Sequence, residues 1–228
     1  MARPRRQDER RRQLVRATAQ AIADRGLSGL RLKHIADRAG LSIGSVLYYY
    51  PDLDTLLVEV HQQVLDQFYW ERVAATDAIA DPVDQLVVAV SRGVPDADPD
   101  GALRVTYELH VASAREESHA ALLTTLWERE VSLYERIFTR GVSAGVFALG
   151  DDARSIAQTV VALEDAFDLH LTGNNHALDR GVALDRIFGY LSLVTGCDLT
   201  ARSPTRPGAR AADPRSPVSP APKRRRPG

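Results

Sequence analysis

The stretch from Leu32 to Tyr50, LKHIADRAGLSIGSVLYYY, leaves the chain little choice of local fold. It reads as helix, tight turn, helix. Ala36 is small where two helices must cross closely, and Gly40 sits where the turn needs a backbone that tolerates positive φ. Val46, a branched apolar residue, is placed to plug the crossing. With Leu32, Ile35, Ala39 and Leu41 these positions form the inner face of a helix-turn-helix. Ser42 stands as N-cap of the second helix, offering its hydroxyl to an otherwise orphaned backbone N–H. In such a motif the second helix lies in the major groove of DNA. An ordinary helical hairpin is the plainer alternative, disfavoured because spacing and flanks agree at several independent positions.

The second helix is expected over Ile43 to Tyr49, with Val46 and Tyr50 turned inward. That arrangement turns Ile43, Ser45, Leu47, Tyr48 and Tyr49 toward DNA or its rim. Gly44, without a side chain, lets the helix N-terminus approach closely. Ser45 suits a base edge, Ile43 or Leu47 a thymine methyl, and the Tyr48 and Tyr49 hydroxyls suit phosphate oxygens. Arg31 and Lys33 are expected at phosphates, with His34 a weaker candidate. Packing under the first helix is the alternative for the tyrosines, and is preferred for Tyr50. Upstream, Leu14, Thr18, Ala21 and Ile22 recur at helical spacing, so a helix is expected from about Asp8 to Arg25, stopped by Gly26. Before it, Arg3, Arg5, Arg6, Arg10, Arg11 and Arg12 form a basic arm in which Pro4 and like charge argue against stable helix in the first few residues. Such an arm either tracks the DNA backbone and minor groove or is a solvated tail that raises non-specific affinity.

The segment from Gly26 to Leu57 resembles the N-terminal domain of TetR-family transcriptional regulators. The matching pieces are Gly26, the pair Ile35 and Ala36, AGLS from Ala39 to Ser42, then Gly44, Leu47 and Tyr50, a Pro-Asp turn, and the pair Leu56 and Leu57. The chain departs from the family pattern at Leu47, commonly tyrosine, and Leu53, commonly lysine, and Arg31 replaces the usual Thr or Ser cap. The resemblance implies an all-α subunit with a three-helix DNA-binding head and a larger helical body that dimerises and binds an effector. It also implies that the last two long helices form a four-helix interface with a second copy, and that the helix after the head acts as a lever.

The net charge of −1 over 228 residues conceals a strong asymmetry. Residues 1–50 hold eleven Lys/Arg against four acids, and residues 201–228 hold eight against one, so each end is +7 and the middle is −1 − 7 − 7 = −15. A basic head on an acidic body is the pattern of a molecule that meets phosphate at one end. No apolar run approaches the ~20 residues that span a bilayer, and the Arg-rich start lacks the apolar segment of a secretory signal. Cys197 is the single cysteine, which leaves no intrachain disulfide and no multi-cysteine zinc site, and a cytoplasmic setting is expected. Three parts are therefore expected: a head at 1–51, a body at 52–200, and a disordered Pro/Arg-rich tail at 201–228.

Within the body, helices are expected from near Leu53 toward Ala75, over Pro82 to Val94, Ala102 to Ala114, Ala120 to Val142, Ala153 to Leu171 (capped by Asp151), and Leu184 to Thr195. An effector site is expected among Tyr107, His110, Trp127, Glu164, Phe167 and Asp168. Glu164 and Asp168 stand one turn apart on one face, and aromatics with acids could box an organic cation. The plainer alternative has the aromatics in the core and the acids paired or solvated. His110 with Glu164, Asp168 and His170 could instead hold a divalent metal, although nothing in the sequence brings them together; neither a metal nor a cofactor is expected. No phosphate loop, nucleophile elbow or metal-ligand motif is present, so an enzyme is not expected. The expected function is a ligand-responsive repressor that binds an inverted-repeat operator on double-stranded DNA as a homodimer and is released by a small-molecule effector, without membrane contact. The alternative is a sequence-tolerant architectural DNA-binding protein without effector.

Overall fold

Nine α-helices and no strand make up the described residues, 2–94 and 101–202, of the computed structural model. In chain order they are α1 (Ala2–Arg25), α2 (Leu32–Ala39), α3 (Ile43–Tyr49), α4 (Leu53–Asp77), α5 (Pro82–Gly93), α6 (Ala102–Ser113), α7 (Glu117–Ser143), α8 (Ala153–Thr172) and α9 (Arg180–Thr195). The all-α class follows the apolar periodicity. Most of the connection at 95–101 between α5 and α6, and most of the Pro/Arg-rich tail, lies outside the described residues. The tail's first two residues close a short 3-10 turn, Thr200–Arg202.

Local chemistry sets most helix ends. Ser42 accepts from the Ser45 N–H at 3.1 Å to start α3, and Asp52 accepts from the Thr55 N–H at 2.7 Å to start α4. At the end of α2, Gly40 takes φ 64°, and the Leu41 N–H returns to the Ala36 carbonyl at 2.9 Å. This is the left-handed helix stop that a Cβ would strain. Arg31 precedes α2 without any side-chain cap bond.

Four boundaries differ from the sequence reading. α1 begins at Ala2 rather than near Asp8, because Pro4 falls in the first turn, where its missing N–H would have no partner anyway. The cap of α8 is Asp152, not Asp151: the Asp152 carboxylate takes the Ser155 N–H at 2.9 Å, while that of Asp151 takes the N–H of Asp152 itself. α7 begins at Glu117, a turn earlier than expected. α9 also begins a turn early, because Asp179 accepts from the Val182 N–H at 2.8 Å.

Two hydrophobic clusters organise the packing. One joins Leu14, Ile22, Ile35, Ala36, Val46 and Tyr50 of α1 to α3 with Leu56 and Val60 of α4 and, less expectedly, Val105 and Leu109 of α6. The other gathers α5, α7, α8 and α9 around Leu86, Tyr134, Phe138, Val160 and Phe188. α4, about 37 Å long at 1.5 Å per residue, runs from the first cluster into the second region.

Candidate functional site

On α3 and its C-cap the inward pair is Val46 and Tyr50, both fully buried, and the outward face carries Ile43, Leu47 and Tyr48, the last 72% exposed. Arg31, Lys33, Ser42 and Gly44 are also exposed; Ser45 and Tyr49 are half-buried. The Ser42 and Ser45 hydroxyls share a 2.9 Å hydrogen bond, so a base contact by the Ser45 hydroxyl competes with that bond while the backbone cap stays in place. Tyr48 and Tyr49 meet edge to face at 5.1 Å between ring centroids. His34 is half-buried with Nδ1 enclosed and unbonded. Arg11 does not belong to a free arm. Its guanidinium donates to the Tyr49 carbonyl at 3.2 Å, ion-pairs with Glu59 and lies 4.5 Å over the Tyr50 ring. A cation on the last carbonyls of a helix is where the macrodipole favours it. Tyr48→Ala and Ser45→Ala are each expected to weaken specific DNA binding about 10- to 100-fold at unchanged melting temperature, the range of one lost base or phosphate contact. Electrophoretic mobility shift and calorimetry check this, and wild-type affinity in both variants rejects the assignment.

In the body, α4, α6, α7 and α8 line a partly open cavity of about 370 Å³. Of the six residues expected at an effector site, Tyr107, His110, Trp127, Glu164 and Asp168 line it together. Phe167 does not, and packs on the body core instead. Glu164, Asp165 and Asp168 face the cavity from one arc of α8, and a rotation of 100° per residue carries Phe167 roughly 100° away from that arc's centre. Leu65, Phe68, Leu103, Leu123 and Leu126 supply apolar wall. His170 is exposed on another face, beside Asn175, and no group of three or more metal-ligating side chains comes together among the described residues.

Behind the wall lies Arg72, 1% exposed and the largest fully buried side chain. Its Nε donates to the Ala89 carbonyl at 3.0 Å and its Nη1 to Glu130 at 2.8 Å. Nη2 reaches both Glu164 oxygens, at 2.8 and 2.7 Å, and also the Tyr134 hydroxyl, which itself donates to Glu164. Gly93 makes room for this, since a Cβ there would lie 2.2 Å from a Glu164 oxygen. One guanidinium therefore serves two of four cavity carboxyls. Burial pushes Glu130 up to about 8 against the pull of Arg72, and pushes Asp168 up to about 8 with help from Glu164 and Asp165. Burial likewise raises Glu164, which Arg72 holds back.

The family description for bacterial regulatory proteins of the tetR family matches residues 14–60. The HTH-type transcriptional regulator BetI of Stenotrophomonas maltophilia is 39% identical over 116 residues, covering 50% of this chain and 59% of that relative's length. BetI of Burkholderia ambifaria is 28% identical over 199 residues, covering 83% of this chain and 95% of its own. Among solved structures, a TetR regulator from Haloarcula marismortui superposes with TM-score 0.76 at 19% identity, over 82% of this chain and 99% of that one. A transcriptional regulator from Saccharomonospora viridis in complex with choline superposes with TM-score 0.75 at 20% identity, over 81% and 96% of the two chains. The chain belongs to the TetR family.

In this TetR-family regulator the DNA-binding helix-turn-helix is the matched region, and α6 ties it to the cavity. Val105 and Leu109 of α6 sit in the core of the head while Thr106, Tyr107 and His110 face the cavity. Glu108, between them, accepts the Leu27 N–H at 3.1 Å, just past the Gly26 that ends α1. Sequence reasoning missed Arg72, Glu130, Gly93 and the apolar wall. A signal existed for Arg72: with Leu65, Tyr69 and Thr76 it falls on the buried stripe of α4, a place where an arginine must be paired.

Proposed function

We propose that this TetR-family regulator is a ligand-responsive repressor, with residues 1–51 as DNA-binding head and 52–200 as sensing and dimerising body, acting in the cytoplasm. Its effector is a small organic cation of the choline class. The observation that carries this reading is the cavity: the rings of Phe68, Tyr107 and Trp127 share its lining with four carboxyls that outnumber the single guanidinium behind them. Aromatic faces and surplus negative charge together attract an ammonium, and the carboxyls disfavour an anionic ligand. The choline bound by the Saccharomonospora viridis neighbour makes choline the first probe. A cavity of this size also favours sensing over the architectural alternative, which needs no cavity.

Dimerisation through α8 and α9 is supported by Leu169, Val182 and Leu193, apolar and exposed on those helices, and by the open space beside Gly189. A two-fold dimer calls for an inverted-repeat operator read by Arg31, Lys33, Ser42, Ile43, Gly44, Ser45, Leu47, Tyr48 and Tyr49. Cation binding against Tyr107 and His110 would move α6, and α6 carries Glu108, Val105 and Leu109 into the head. Among the described residues no helix is long and apolar enough to cross a membrane. Selection from random duplex DNA should yield a two-fold symmetric consensus. Choline should then weaken binding to it, while the neutral alcohol with carbon in place of choline's nitrogen should not.

A further inference from the structure

Asp168 differs from the other buried cavity carboxyls, Glu130 and Glu164. It is 5% exposed and lines the cavity, yet among the described residues no hydrogen bond or ion pair holds its carboxyl. Glu130 and Glu164 are bonded to Arg72 at 2.7–2.8 Å, and Glu164 also takes the Tyr134 hydroxyl. The charged and titratable groups facing Asp168 are Glu164 and Asp165 on its own helix, Arg72 on α4, Tyr107 on α6 and Glu130 on α7, with His110 beside Asp165. If all four carboxyls were ionised they would outnumber Arg72 by three negative charges, with Glu130, Glu164 and Asp168 buried and Asp165 exposed. Like charges so placed cannot all ionise; Glu130 keeps its ion pair with Arg72 and Asp165 is exposed, which leaves Asp168 as the buried carboxyl with no bonded partner to hold its charge.

Resting on the cation-sensing reading above, we propose that the cavity takes its effector in exchange for a proton, and that Asp168 is the group that releases it. In the empty cavity Asp168 is a neutral carboxylic acid. An entering ammonium pairs with the carboxylate, the O–H bond breaks, and the proton leaves to solvent. The charge inside the cavity is the same before and after, so a cation enters a desolvated site without adding net charge to it. The ordinary value to which Asp168 would return with a cation beside it lies near 4, whereas burial and its acidic neighbours push it up to about 8 in the empty protein. Between these two values the exchange opposes binding by one proton. Affinity therefore rises with pH up to about 8 and is level above it. The exchange also makes Asp168 a specificity residue, because a neutral isostere cannot displace the proton.

The test is calorimetric titration of the full chain with choline from pH 6 to 9, in pairs of buffers that differ in ionisation enthalpy. Wild type should release about one proton per cation at pH 7, and its Kd should tighten about tenfold per pH unit up to about pH 8. Asp168→Asn, with folding verified by circular dichroism, should bind with a flat pH profile and release no proton. Asp168→Glu should restore the release. Binding of choline to wild type with no proton release and a flat profile overturns the exchange while leaving cation sensing in place. Undiminished release in Asp168→Asn overturns the assignment to Asp168. Absence of binding by both choline and tetramethylammonium across the whole range overturns the cation reading itself and the exchange with it.

Discussion

Replacing Arg72 with alanine is expected to cost about 3–5 kcal/mol of folding stability, the range for removing one partner of a buried ion pair. The guanidinium is fully buried and holds Glu130, Glu164, Tyr134 and the Ala89 carbonyl at once. Its loss leaves two carboxyls enclosed with no opposite charge, and both must then bind protons or draw in water. Exchanging the whole set is a different matter. A variant with Arg72→Met, Glu130→Gln and Glu164→Gln should recover much of the loss, because no charge is left uncompensated. Urea denaturation at neutral pH measures both. A single-variant loss below about 1 kcal/mol would show that the network is not held by Arg72 in the way the geometry describes.

The second large effect is expected at Leu193, 84% exposed on α9. A leucine that open to water on a helix proposed to face a second copy should be covered in the working protein. Leu193→Glu places a charge at the centre of the proposed four-helix interface. It should convert the dimer to monomer and lower affinity for a two-fold operator about 10²–10⁴-fold, the loss incurred when two linked heads become independent. The monomer fold should be kept, since the side chain packs on little within its own chain. Light scattering and operator titration read the two effects separately. A dimer that persists with wild-type affinity would move the interface elsewhere.

What could be read from the sequence follows the range of the interaction. The head was legible because its determinants are local. Gly40 and Ser42 act within a few residues of themselves, and Val46 and Tyr50 are four residues apart on α3 and its C-cap. Arg11 was not legible, because its partners Tyr49 and Glu59 lie 38 and 48 residues away, and an arginine among arginines looks like part of a tail. The same holds for the cavity. The pairing of Glu164 with Asp168 is a helical repeat, visible in the sequence. Which residues of α4, α6 and α7 meet them depends on how four helices cross, and so Phe167 stood where Leu65, Phe68 and Leu103 belong. α6 is the clearest case. Its sequence reads as one more amphipathic body helix, yet Val105 and Leu109 complete the core of the head while Tyr107 and His110 complete the cavity.

The measurement that bears most directly on the central claim is the fluorescence anisotropy of a labelled operator duplex bound by the full chain, followed while choline is added. At pH 8 and fixed salt, choline should release the duplex in a saturable manner. The neutral isostere should leave it bound at the same concentrations, and Asp168→Asn should need more choline for the same release. Release by choline and by the neutral isostere at equal concentrations would contradict the account, as would an operator complex indifferent to every quaternary ammonium tried.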